Sequence, residues 1–175
     1  MNEKSDASLD VRLRPEVIGD EAFLFDVYAS TREDELALTN WDTATRAAFL
    51  NHQFTAMRRG YKSMFPDGEF MIILNGNVPV GRIVIARDTA AIRVVDMALL
   101  PAERSKGIGS LLLQRLQQES AKTGNPITLQ VFQDNRALRF YERLGFEITK
   151  QDGPYFHMQW PAQAASLSTP GRASG

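Results

Sequence analysis

The sequence predicts one α/β domain, α+β by connectivity, on a mixed and mostly antiparallel sheet. Three observations lead there. Apolar runs of strand length alternate with stretches of helical periodicity. Asn75-Gly76 and Asp152-Gly153 are turn signals of the kind that join strands into hairpins. The patterned region runs over residues 10–160 without an internal repeat, between polar ends at 1–9 and 161–175 that read as flexible tails.

Each element follows from its residues. "VRLR" at 11–14 is a short strand ending at Pro15. Asp20 stands where it can cap a helix carrying Phe23, Leu24, Val27 and Tyr28. A second helix starts after Asp42 or Thr43 and runs through Phe49, Leu50, Phe54 and Met57 to about Tyr61. Residues 69–86 form two strands around Asn75-Gly76, and Pro79 makes the second an edge strand or irregular near its start. Residues 91–100 are the next strand, antiparallel by its short connection. A helix over about 107–123 buries Ile108, Leu112 and Leu116, and Gly124 with Asn125-Pro126 stops it. "ITLQV" at 127–131 alternates as a strand. Asp134 or Asn135 begins a helix with Ala137, Phe140, Tyr141 and Leu144 on one face, and Gly145 ends it. "FEIT" and "YFHMQW" close the chain as a hairpin around Asp152-Gly153. The predicted order is β-α-α-β-β-β-α-β-α-β-β.

Composition narrows the function. The formal net charge is -1 over 175 residues, so no basic excess points to nucleic acid and no polybasic cluster to an anionic membrane. The chain has no cysteine and only His52 and His157, which excludes thiolate chemistry and argues against a metal site. The polar N-terminus lacks the apolar core of a signal peptide, and the expected location is cytoplasmic.

The most informative stretch is "ERSKGIGSLL" at 103–112. Gly107 and Gly109 lie between a strand and a helix. A helix N-terminus exposes unpaired N–H groups and positive dipole, and glycines let a phosphate approach them. Arg104 and Lys106 would add charge. The order of residues is neither a Walker A loop nor a dinucleotide fingerprint. On these residues alone the turn is either a connector or a phosphate cradle.

A second motif decides between the two. Arg104 to Gly109 reads R-x-x-G-x-G after a strand ending in Leu-Pro, and "DNRALRFYERLGF" follows at 134–146. At this separation the pair resembles the GNAT acetyltransferase superfamily, over roughly residues 10–160. The resemblance implies a single GNAT-like domain that binds acetyl-CoA and no metal. Backbone N–H groups of Arg104, Ser105, Lys106, Gly107, Ile108, Gly109 and Ser110 would hold the pyrophosphate. The pantetheine arm would pair with the main chain of Met97, Ala98 and Leu99, Asn135 would contact the cofactor, and the strands beside it would splay apart. A homodimer is common in the superfamily.

The implied reaction moves acetyl from a thioester to a small-molecule or peptide amine. A lysine-like amine, with pKa about 10.4, costs roughly 4–5 kcal/mol to deprotonate at pH 7, and an α-amino group about 1 kcal/mol. The departing thiolate benefits from a proton. Tyr141 sits where the family often places that donor, although its helical stripe would equally suit a core residue. A backbone N–H near Leu99 is the expected oxyanion donor. The base is open. A subgroup acting on protein N-termini has Glu where this chain has Gln130 or Leu129, with the Asn-to-Tyr spacing one residue longer. Asp96 is the local acid in an apolar strand, either catalytic, held in a structural hydrogen bond or on the face away from the cleft; Glu69 and His157 follow it. Glu33, Asp34 and Glu35 would attract a cationic acceptor or form a solvated face, and Trp41, Phe54, Tyr61 and Phe65 would wall a pocket or pack in the core. The competing class is a catalytically silent CoA sensor or scaffold with the same fold.

Overall fold

The computed structural model describes residues 9–161; the tails expected at 1–9 and 161–175 lie outside the described residues except for their inner ends. Its elements are β1 (Val11–Pro15), α1 (Glu21–Ser30), α2 (Glu33–Ala37), α3 (Thr43–Met64), β2 (Glu69–Asn75), β3 (Val78–Arg87), β4 (Ile92–Leu99), α4 (Ile108–Thr123), β5 (Ile127–Phe132), α5 (Ala137–Arg143), β6 (Glu147–Asp152) and β7 (Tyr155–Trp160). The predicted order holds, with the short α2 added. Helix α3 begins where Asp42 accepts the Thr45 N–H at 2.7 Å, as an N-cap should. Asp20 makes no such cap. Its carboxylate instead takes both Arg14 Nη atoms at 2.7 Å and the Val17 N–H at 2.8 Å, locking the turn before α1.

Both hairpin turns fall one residue later than the dipeptides suggest. Asn75 pairs with Val78, so Gly76 and Asn77 form the first loop, with Gly76 at φ 61°. Asp152 pairs with Tyr155, so Gly153, at φ 54°, and Pro154 form the second. A glycine with positive φ at the first loop position is the Gly-X hairpin pattern, and it sets the register. Pro79 lies in an internal strand rather than at an edge. The irregularity expected there is real: the β2–β3 register shifts between Ile73 and Leu74, which leaves Val80 as the extra residue.

The seven strands run in the order β1-β2-β3-β4-β5-β7-β6. Alternation divides the apolar residues between two faces. On one face Ile73, Ile83, Ile85, Val94, Leu129 and Met158 pack under α4 and α5. On the other, Ile72 and Leu74 pack with Leu24 and Tyr28 of α1 and Phe54 of α3.

The centre of the sheet is split. Strands β4 and β5 are the parallel pair, and they pair only over Ile92–Val94 against Ile127–Leu129. Beyond those residues β4 stays with β3 while β5 stays with β7. A bulge stands where they part. Val84 opposes Asp96 and Ile85 opposes Val94, so Val95 has no partner. A bulge bends and twists its strand, and here it turns Asp96–Leu99 away from β5. The result is a gap open toward the turn that precedes α4.

Candidate active site

The turn into α4 is built to leave amides free. Ser105 has φ 61° and is the sole described non-glycine residue with positive φ; Gly107 follows at φ 87° as the N-cap of α4. Left-handed residues interleaved with right-handed ones curl consecutive N–H groups into a concave nest. Among the described residues, no acceptor takes the N–H of Ser105, Lys106, Gly107, Ile108, Gly109 or Ser110, and the first helical bond is Leu111 N–H to Gly107 O at 3.0 Å. Six consecutive donors therefore meet the positive end of a 16-residue helix. Gly109 has a different use: a Cβ there would lie 3.2 Å from Phe140 Cζ and 3.6 Å from Met97 Cε. Its bareness lets α4 press against α5 and β4.

The two basic side chains are otherwise engaged. Arg104 turns back, donating from Nε to Leu99 O at 3.0 Å and from Nη2 to Ser30 O and Oγ at 3.2 Å. Lys106 pairs with Glu103 at 3.2 Å. Arg104 thus ties the end of β4 and the end of α1 to the turn, and the cradle's positive potential comes chiefly from the backbone.

Strand β4 presents its main chain to the gap. Leu100 donates its N–H to Val80 O at 2.9 Å, toward β3. Successive residues alternate edges, so Ala98 also faces β3, while Met97 and Leu99 turn their N–H and C=O groups to the opposite edge. No strand pairs with that edge among the described residues, and Leu99 O is taken by Arg104. Gly81 keeps β3 close here, since a Cβ on it would overlap Ala98 O and lie 2.8 Å from Leu99 Cδ2.

Tyr141 lies on α5 and packs into the core cluster on that side of the sheet. The residue is 8% exposed, its ring between Phe140 and Phe146 at centroid distances of 5.3 and 5.8 Å. The stripe position therefore does pack in the core, yet the hydroxyl makes no hydrogen bond among the described residues. Burial pushes that hydroxyl up to about 12, with the Asp96 carboxylate adding to the shift. Asp96 lies on β4 just past the bulge and on the face covered by α1 and α3. Its Oδ2 accepts from Arg82 Nε at 2.6 Å, and its side chain is 19% exposed. Its charge also raises Tyr61 of α3, whose hydroxyl burial drives to about 12 while Arg82 opposes the shift.

The remaining residues divide clearly. Asn135 accepts the Ala137 N–H at 2.8 Å through Oδ1 and so shapes the start of α5. Gln130 Nε2 lies 3.3 Å from the His157 ring nitrogens, on the face of β5 and β7 opposite the core. Glu69 bonds Arg87 at 2.6 Å, at the end of the sheet opposite the gap. Glu33, Asp34 and Glu35 are exposed on α2. Phe54 is core, Trp41 packs edge-on against Phe49, Phe65 lies under Arg93, and Tyr61 lines a small cavity with Arg82 and Asp96. Arg82 is the site-adjacent residue that sequence reasoning missed; only the β3–β4 register reveals its partner. A concavity of about 850 Å³ lies elsewhere, between the turn before α1 and α3. Its Arg58 and Lys62 are both paired with Glu16. Among the described residues no helix is long and apolar enough to cross a membrane.

Comparison with known proteins bears on the fold and the family. Residues 66–148 match the family described as acetyltransferase (GNAT) domain. No curated protein matches the chain. Among solved structures, the PaiA N-acetyltransferase of Thermoplasma acidophilum in complex with coenzyme A is similar at TM-score 0.65, with 19% identity over 87% of this chain and 99% of that one. An acetyltransferase of Thermus thermophilus follows at 0.62, with 18% identity over 86% and 96%. A GNAT family acetyltransferase of Elizabethkingia anophelis with acetyl-CoA bound gives 0.55, with 14% identity over 86% and 97%. The paired motifs, the split parallel strands and the family match converge on the GNAT acetyltransferase superfamily, whose domain model matches residues 66–148 of this chain.

Proposed function

We propose that this protein transfers the acetyl group of acetyl-CoA to a primary amine by direct attack in a ternary complex. The observation that carries the reading is the run of six unpartnered amides at Ser105–Ser110, next to an unpaired β4 edge. The donors suit a diphosphate and the edge suits an extended amide-bearing arm, so the residues fit the cosubstrate. Bound there, acetyl-CoA supplies an activated thioester carbonyl.

The chain's own groups then have distinct tasks. The amides of residues 105–110 neutralise the diphosphate, and Met97 and Leu99 align the arm. Asn135 keeps the neighbouring α5 terminus in shape. The Leu99 N–H is the donor for negative charge on the carbonyl oxygen. Tyr141, held protonated across the physiological range, donates toward the sulfur. Asp96 receives the acceptor's ammonium and takes its proton through the oxygen that Arg82 leaves free. Dimerisation is not required for any of these steps.

The reading is tested by incubating the protein with acetyl-CoA and a panel of primary amines, including peptides and polyamines, and following free thiol. Amine-dependent thiol release with a mass gain of one acetyl group on the amine supports it. Tight CoA binding with no release across the panel replaces it with a CoA sensor.

A further inference from the structure

Arg82 is 6% exposed, and a cation so deep needs a reason. It bonds Asp96 through Nε at 2.6 Å and the Met57 sulfur through Nη2 at 3.4 Å, while its guanidinium carbon lies 5.8 Å from the centre of the Tyr28 ring. Its Nη1 is buried with no acceptor among the described residues. The cavity beside it is only about 10 Å³, far too small for a substrate group. A buried ion pair is weak evidence for stability, and well-packed apolar residues of similar volume often do as well or better. An orphaned donor on the cation weakens the stability explanation further.

The pair makes more sense by location. Asp96 is the first residue after the bulge, where β4 has left β5. Its carboxylate is felt by Tyr141 on one side of the sheet and by Tyr61 on the other. Only Oδ2 is engaged; Oδ1 accepts no hydrogen bond among the described residues. An aspartate side chain on a bulged strand can rotate, and one short bond from a guanidinium wedged between Tyr28 and Met57 removes that freedom.

We propose that Arg82 is a positioning residue, holding Asp96 by one oxygen so that the other faces the gap between β4 and β5, where the acceptor amine enters. The inference rests on the acetyl-transfer reading above and adds the residue that fixes its acceptor end. Arg82 touches neither substrate, so its removal acts only through Asp96.

The test is a double-mutant cycle with acetyl-CoA and the primary amine that gives the fastest thiol release in the panel. Arg82→Met lowers kcat/KM for the amine about 10- to 100-fold, the scale of a 1 Å misplacement. The dissociation constant for acetyl-CoA stays within twofold, and Arg82→Lys recovers most of the loss. Once Asp96→Asn is present, adding Arg82→Met changes kcat/KM less than threefold. Independent, multiplying losses overturn the proposal, as does a matching loss of acetyl-CoA affinity. Should Arg82→Met fail to fold, Arg82→Gln takes its place. A fully active Asp96→Asn sinks the assigned role of Asp96 and this inference with it, whereas an impaired Asp96→Asn beside a normal Arg82→Met sinks this inference alone. If no amine reacts, crystal structures decide. An Asp96 rotated out of place in Arg82→Met supports positioning, and an unmoved Asp96 overturns it.

Discussion

Replacing Tyr141 by Phe removes one oxygen and little else. The ring stays between Phe140 and Phe146, and the hydroxyl leaves no protein partner unsatisfied. Stability should therefore change by less than about 0.5 kcal/mol. The catalytic effect can be sized. The hydroxyl sits at about 12, and an ordinary thiol titrates near 8.5. Complete proton transfer to a free thiolate would be uphill by roughly 3.5 pK units, about 5 kcal/mol. Tyr141 must then act mainly as a hydrogen-bond donor to the sulfur as charge builds there. Such a charge-assisted bond is worth about 1.5–3 kcal/mol, or roughly 10- to 150-fold in rate. Tyr141→Phe should lower kcat by that factor at saturating acetyl-CoA, with calorimetric acetyl-CoA affinity unchanged within twofold. Because the hydroxyl stays protonated well above neutrality, the wild-type rate should show no alkaline limb from Tyr141 below about pH 11. A kcat within twofold of wild type would remove the hydroxyl from the mechanism.

Gly81→Ala should cost about 2–3 kcal/mol, because the new Cβ would overlap the Ala98 carbonyl and force β3 from the end of β4. A thermal melt should show a drop of about 5–10 °C for a chain of this size. Asp20 is held at about 2, first by its hydrogen bonds to Arg14. Its folded pKa is depressed, so its stabilisation is complete above about pH 4 and is lost as pH falls toward 2. Asp20→Asn should lower stability near neutrality by about 1–3 kcal/mol and flatten urea midpoints over that acid window. Tyr61 and Tyr141 both sit at about 12, above the unfolded value of 10, so the unfolded state releases its protons first. Stability should fall as pH rises from about 10 to 12, and the fall should shrink in Tyr61→Phe/Tyr141→Phe when urea midpoints are compared across that range.

Much of this architecture is legible in the residues because local chemistry and tertiary packing agree. Ile108, Leu112 and Leu116 repeat at helical spacing and are all buried, and Gly124 at φ 78° ends α4 as its position suggests. Helix α2 escaped notice because a five-residue segment with one buried side chain, Leu36, has no periodicity to read. The hairpin loops were displaced by one residue because Asn-Gly favours one turn geometry while the strand register selected another, with Gly first. Pro79 marks an irregularity rather than an edge, since a bulge accommodates it inside the sheet. At the site, the glycines, Tyr141 and Asp96 stand out in the sequence. Side-chain direction does not: Arg104 and Lys106 look like phosphate ligands until Leu99, Ser30 and Glu103 take them. Arg82 is invisible for the same reason, because its partner Asp96 is fourteen residues away in sequence and the two meet only through the bulged β3–β4 register.

The central claim is that the amides of residues 105–110 bind a diphosphate, and isothermal titration of the folded chain with acetyl-CoA tests it most directly when two variants are run beside it. Asp and Asn both tolerate the left-handed backbone of Gly107, so Gly107→Asn and Gly107→Asp should differ mainly in charge. Saturable one-to-one heat from the wild type, weakened less than tenfold by Asn and at least 100-fold by Asp, is the expected pattern. No heat from a folded wild-type chain, or equal weakening by the two substitutions, would contradict it.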